Sequence, residues 1–266
     1  MVRTAIAVVV VVLALLPCPD VQAADISAAG SGVRLVTTGT EVRSDRTHSV
    51  LWDISRGPWV GYTPSGEFSN LVDMLATHEI NSYETTSHLN EVDLSSFDMI
   101  VIGTILAWYS AYEAAELTAI QDFVSAGGGL LIMGEYPTSP NENITLISEA
   151  YGVTYPSEGG TCGSEITDFD AHDIFDGVTE LAMVAPGPLF ASAPSDTVAR
   201  EFQGYAVVSL MGDCDVIATG DCSLWENDFL GADDNSTFAL NVFECLTGAD
   251  TAVESTSWGV VKSLYR

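Results

Sequence analysis

Apolar residues fall along this chain in two patterns. Short, largely apolar runs occupy residues 50–54, 99–103, 130–134 and 216–220. A run of this length without polar alternation suits a strand covered on both faces. Between the runs, apolar positions recur every three or four residues. Phe68, Leu71, Val72 and Leu75 form one helix face, and Thr63-Pro64 before them has the character of an N-cap followed by proline at the first helical turn. Leu117, Ile120 and Val124 form a second face. Ser110 to Glu113 reads as its capping box, and Gly127-Gly128-Gly129 as its stop. A short helix is expected over residues 143–151. A last helix carries Phe238, Val242 and Leu246 and is capped by Asp233 or Asp234. Pro186-Gly187-Pro188 marks a turn. Residues 197–202 and 205–211 read as a β-hairpin around Gln203-Gly204. Val33 to Val36 reads as an edge strand.

Alternating strands and helices predict an α/β fold. It is a doubly wound, mostly parallel sheet in a flavodoxin-like three-layer sandwich with an added β-hairpin. Residues 1–23 have the pattern of a signal peptide. Arg3 supplies a basic start, residues 5–16 an apolar run, and Val21-Gln22-Ala23 small residues for cleavage. That run is too short to span a bilayer, which takes roughly 20 residues, so no membrane span is expected after cleavage. Residues 24–46 read as a lead-in segment, 47–248 as the α/β domain and 249–266 as a tail. The expected location is secreted, periplasmic or at the surface of a bacterium.

Composition narrows the partners. The 37 acidic residues stand against 8 Lys and Arg, a formal charge of −29. Such a chain repels phosphate backbones, so nucleic acid is not expected as a partner. A glycan or a protein is. Asp228, Asp233 and Asp234 offer oxygen ligands but lack EF-hand spacing and its glycine. No cofactor is expected, calcium being the one candidate ion.

Ligands of a doubly wound sheet bind outside the carboxyl ends of its strands. That rule selects Asp53, Ser55 and Arg56 after the first run, residues 104–109 after the second, and Glu135 and Tyr136 after the third. After the last it selects Asp221, Cys222, Ser223, Trp225 and Glu226. Asp168 and His172 lie in a loop that could fold over the same rim. Asp53 and Asp221 are expected to end adjacent or near-adjacent strands. There they either share a metal with Glu135 or cap helix N-termini. Trp59, Tyr62, Trp108, Tyr109, Tyr112, Tyr136 and Trp225 are candidates for an aromatic rim.

Residues 48–248 resemble the class I glutamine-amidotransferase-like superfamily, in its DUF4350 and intraflagellar-transport-52-like branch. The resemblance rests on Trp52-Asp53-Ile54-Ser55, on residues 98–103, on residues 120–134 and on Thr219 to Trp225. It implies the flavodoxin-like sheet. Active members carry a nucleophile on a sharp turn after the third of these strands, where this chain reads Glu135-Tyr136-Pro137-Thr138. They carry His and Glu after the last strand, where it reads Asp221 to Glu226 with no histidine. The expectation is the fold without the glutaminase chemistry.

Cys222 has two readings. It is a nucleophile with His172 as its base, or it is paired. Cys214 and Cys222 bracket one strand, and eight extended residues span about 26 Å, far beyond disulfide reach. Cys245 ends the helix that returns toward Cys214, and Cys162 lies in a loop near Cys222. The expected bridges are therefore Cys214–Cys245 and Cys162–Cys222. The tail, Trp258-Gly259-Val260-Val261-Lys262-Ser263-Leu264-Tyr265-Arg266, is similar to sorting endings of some secreted bacterial proteins. Three functions fit these residues. One is an exported, non-catalytic binding or scaffold module with its ligand surface at the strand carboxyl ends. The others are a hydrolase acting on glycans or peptides through rim carboxylates and His172, and a structural envelope component.

Overall fold

The computed structural model describes residues 33–36, 47–58, 61–103, 111–136, 141–156, 159 and 164–249. The expected signal peptide, the tail, Cys162, Trp59, Trp108 and Tyr109 lie outside them. Strands β1 (Val33–Val36) and β2 (His48–Asp53) precede helix α1 (Ser69–Thr77). Strand β3 (Ile80–Thr85) and β4 (Met99–Ile102) follow, then α2 (Ala114–Ser125), β5 (Gly129–Met133) and α3 (Glu142–Ser148). The next strands are β6 (Val153–Thr154), β7 (Ser164–Ile166), β8 (Asp168–Phe169), β9 (Leu181–Met183) and β10 (Phe190–Ala191). The chain closes with β11 (Ser195–Arg200), β12 (Ala206–Met211), β13 (Val216–Thr219) and α4 (Asn235–Thr247).

The main sheet has nine strands in the order β1-β3-β2-β4-β5-β13-β12-β11-β8. Its centre, β3-β2-β4-β5-β13, is parallel throughout. Counting those five in chain order gives 2-1-3-4-5, the flavodoxin arrangement, whose direction of winding reverses between the first and third. Here that switch point falls between β2 and β4. The hairpin β11–β12 extends the same sheet, because β12 pairs antiparallel with β13. Two small ribbons, β6–β10 and β7–β9, lie outside it.

Side chains of each central strand alternate between two apolar layers. Val50, Trp52, Met99, Val101, Leu131 and Met133 face α1 and α4, meeting Phe68, Leu71, Leu75, Phe238, Val242 and Phe243. Leu51, Ile100, Ile102, Leu130 and Ile132 face α2 and α3, meeting Ile120, Phe123, Val124, Ile144 and Ile147. The expected three-layer class is therefore the one observed. The last helix crosses β5 closely. A Cβ on Gly129 would lie 2.2 Å from the Leu246 carbonyl oxygen, so only glycine lets the two backbones meet. A disulfide joins Cys214, in the turn before β13, to Cys245 near the end of α4.

Local details differ from the sequence reading. Helix α1 begins at Ser69. Thr63 and Pro64 belong to a preceding turn in which Gly66 N–H and Phe68 N–H donate to the Thr63 carbonyl. The capping box of α2 is Glu113 with Glu116, one turn beyond the expected one. Asp234 holds the N-cap position of α4, but its carboxylate accepts from Thr179 N–H and Oγ1–H and from Glu180 N–H instead. Among the described residues, Asp228, Asp233 and Asp234 do not bring three ligand atoms together. Strand β3 was not expected at all. No helix among the described residues is long and apolar enough to cross a membrane.

Candidate binding site at the strand carboxyl ends

Two clusters occupy this rim. The first lies at the switch point. Asp53 ends β2, and its Oδ1 accepts from Ser55 N–H at 2.8 Å while Oδ2 accepts from the Tyr112 hydroxyl at 2.5 Å. Burial raises its pKa, and the bonds from Ser55 and Tyr112 oppose that rise. Arg56 is only 5% exposed. Its Nη2 donates to Glu116 Oε2 and lies 3.3 Å from His88 Nδ1, and its guanidinium sits 5.3 Å from the centre of the Tyr112 ring. Glu116 is fully buried and also accepts from Glu113 N–H and Leu89 N–H, so a single carboxylate caps α2, holds the 89–91 turn and neutralises Arg56. Beside these groups is a small pocket of about 10 Å³, lined by Trp52, Asp53, Ile54, Arg56, Pro58, Tyr62, Pro64, Phe68, Val101 and Gly103.

The second cluster lies at the ends of the neighbouring strands β5 and β13. The Cys222 thiol donates to Glu135 Oε2 at 2.7 Å, and Glu135 Oε1 accepts from Tyr136 N–H. Asn141 fixes the Glu135 backbone from both sides, accepting from its N–H and donating to its carbonyl. Asp221 is fully buried. It accepts from the backbone and hydroxyl of Ser223 and from Ala185 N–H. Ala185 is held there because Gly187 N–H donates to the Gly220 carbonyl. A Cβ on Gly220 would come within 2.0 Å of the Gly187 oxygen.

These groups sit among like charges. Burial, and then the charge of Asp221, push the Glu135 carboxyl up to about 8. Burial chiefly raises Asp221 as well, and takes Glu226 to about 7 against the hydrogen bond from the Tyr62 hydroxyl. Burial and the carboxylates Glu135, Asp221 and Glu226 hold the Cys222 thiol well above its ordinary range. The ligand atoms of Glu135, Asp221 and Cys222 lie within 4.8 Å of one another. Once deprotonated, that set of two oxygens and one sulfur suits a borderline divalent cation such as zinc.

The other expected site residues are elsewhere. Asp53 does not join Glu135 and Asp221, because β4 and β5 separate β2 from β13, three inter-strand steps or about 14 Å. Asp168 is exposed on the edge strand β8, again three strands from β13. His172 caps the 173–175 turn, its Nδ1 accepting from Ile174 N–H. Trp225 is no rim residue. It is 0% exposed and stacks on Phe238 in the core. Cys222 is a free, buried thiol, which corrects the expected bridge to Cys162. Its sulfur points to Glu135, not outward. Glu116 and His88 were not foreseen as partners of Arg56. The spacing of Glu113 and Glu116 was the available signal for the former.

No protein-family model matches the chain, and no curated protein does. Solved structures do resemble it. The mmIFT52 N-terminal domain is 18% identical with a TM-score of 0.62, covering 74% of this chain and 97% of that one. A cytoplasmic protein of Salmonella typhimurium LT2 is 19% identical with a TM-score of 0.55, covering 74% and 99%. A Thermoplasma acidophilum protein described as part of a GMP synthase is 10% identical with a TM-score of 0.51, covering 80% and 100%. At these identities what is shared is the fold.

Proposed function

We propose that the chain is an exported, non-catalytic binding or scaffold module whose ligand surface is the carboxyl-end rim, within the DUF4350-like branch of that fold. One observation carries this reading. At the turn after β5, where active amidotransferase-like members carry a nucleophile, stands Glu135, and the thiol beside it is hydrogen-bonded to that carboxyl group. A thiol becomes nucleophilic when a base or a positive field favours the thiolate. Every group that acts on Cys222 here favours the neutral thiol. The signal-like residues 1–23 support export, and the charge of −29 supports an uncharged or protein partner.

A hydrolase is the second reading. It is favoured by Glu135, a protonated acid near neutral pH, a few ångströms from Asp221. Turnover separates the two. The full chain, incubated with glutamine and with chromogenic glycosides and peptides, is expected to release no ammonia, sugar or amine above the buffer rate. Release that disappears in Glu135→Gln would overturn the binding reading.

A further inference from the structure

Strands β5 and β13 are hydrogen-bonded neighbours that run parallel, with Met133 opposite Thr219. Gly134 N–H donates to the Thr219 carbonyl and carries the ladder one residue further. Glu135 and Asp221 each stand two residues beyond the matched ends, so the register itself brings the two positions side by side at the rim. Cys222 follows at once, and its Sγ lies 2.7 Å from Glu135 Oε2. One ligand atom from each of the three residues falls within 4.8 Å of the others. A tetrahedral zinc ion, with Zn–S about 2.3 Å and Zn–O about 2.0 Å, holds its ligand atoms about 3.3–3.5 Å apart. Side-chain shifts of about 1 Å would therefore seat it between them.

Two observations beyond proximity point to a cation. The first is charge. Glu135, Asp221 and Cys222 are 8%, 0% and 1% exposed. Glu226, partly buried, adds a further acidic group whose charge acts on both Glu135 and Cys222. Among the described residues, no Lys, Arg or His forms an ion pair with any of them. Buried charges are as a rule paired or bound to a metal. The second is support from outside the set. Tyr136 N–H holds Glu135 Oε1, which leaves Oε2 facing the thiol, and Asn141 fixes the Glu135 backbone. Ser223 and Ala185 N–H hold Asp221. Outer hydrogen bonds of this kind orient carboxylates that ligate metals.

The donor set selects the ion. Calcium takes six to eight oxygens and magnesium an octahedron of them, whereas a thiolate beside two carboxylates suits zinc. We propose that Glu135, Asp221 and Cys222 form a zinc site. The ion binds Cys222 Sγ and one oxygen of each carboxyl group. The thiol proton that bridges to Glu135 leaves to solvent as the sulfur becomes a thiolate, and water fills the fourth position. The inference goes beyond the binding reading and is judged separately from it, since turnover tests that reading and metal binding tests this one.

The test is a titration of the chelator-treated full chain, without reductant, using Co2+ as the spectroscopic stand-in for zinc. An equimolar amount is expected to raise a near-ultraviolet sulfur-to-cobalt charge-transfer band. Zn2+ should remove that band, and a large excess of Ca2+ or Mg2+ should leave it unchanged. The band should vanish in Cys222→Ser. It should persist when Cys18 and Cys162, the other cysteines outside the Cys214–Cys245 bridge, are replaced by serine. Glu135→Gln and Asp221→Asn should each weaken Co2+ binding at least about tenfold, with the far-ultraviolet circular dichroism unchanged. X-ray absorption of the zinc-loaded wild type needs no variant, and is expected to show one sulfur at about 2.3 Å among oxygen neighbours. A zinc shell without sulfur, a cobalt band that survives Cys222→Ser, or displacement of cobalt by calcium overturns the inference.

Discussion

Glu135→Gln changes how the stability of this protein depends on pH. In the unfolded chain Glu135 ionises near 4.5, and in the folded protein near 8. Between those values the folded state holds a proton that the unfolded state has released, so stability falls as pH rises. The contribution of Glu135 is complete below about pH 4.5 and is lost as pH passes through 8. At about 1.4 kcal/mol for each pH unit, the displacement is about 5 kcal/mol. Asp221 shares the field, so the two titrate as a pair and the loss spreads across the window. Glutamine keeps the shape and can still accept from Tyr136 N–H, but it has no proton to lose. The assay is urea unfolding of both proteins from pH 5 to pH 9 in 1 M salt. There the Debye length is about 3 Å and repulsion among exposed carboxylates is screened. The wild type is expected to lose several kcal/mol more than the variant over that range, with Glu226 supplying the slope that remains in both. Parallel curves would refute a Glu135 carboxyl raised by burial and by the charge of Asp221.

Two further substitutions address the frame around the rim. The Cys214–Cys245 bridge spans 31 residues, which in the chain-entropy model is worth about 4 kcal/mol. Replacing both cysteines with serine should lower the urea midpoint accordingly, and an unchanged midpoint would exclude the bridge from the folded protein. Glu116→Ala leaves Arg56 buried without its counter-charge and uncaps α2, a loss of about 3–5 kcal/mol. Glu116→Gln should cost less. Equal calorimetric stability of the wild type and the alanine variant would show that Arg56 is not committed to Glu116.

How far the sequence led depended on burial. Strands β2, β4, β5 and β13 are covered on both faces, and their centres read as short apolar runs for that reason. Strand β3 lies between β2 and β1 and reads Ile-Asn-Ser-Tyr-Glu-Thr. Its polar residues have partners that only the fold supplies, as where Trp52 Nε1–H donates to Ser82 Oγ. No run or alternation marks it. The carboxyl-end rule picked out Asp53, Glu135, Asp221 and Cys222, and each does sit on the rim. Their grouping was out of reach, because it depends on strand order. Only the sequence β2-β4-β5-β13 shows that Glu135 meets Cys222 while Asp53 stands apart with Arg56. Trp225 follows the same strand as Cys222, but the 223–225 turn rotates it into the core against Phe238. A position in a loop does not disclose that rotation. Asp168 and His172 lie in a segment that the topology allows to fold over the rim, but Asp168 sits on β8, an edge strand.

The central claim is that Cys222 is a neutral thiol locked to Glu135 and that the rim recognises a ligand without attacking it. Intact-mass measurement of iodoacetamide labelling at pH 7, native against urea-unfolded and without reductant, tests it most directly. Cys222 is expected to stay unmodified for hours in the folded protein and to label readily once unfolded. Rapid labelling of Cys222 in the folded protein would reveal an activated thiolate at the rim and contradict the account.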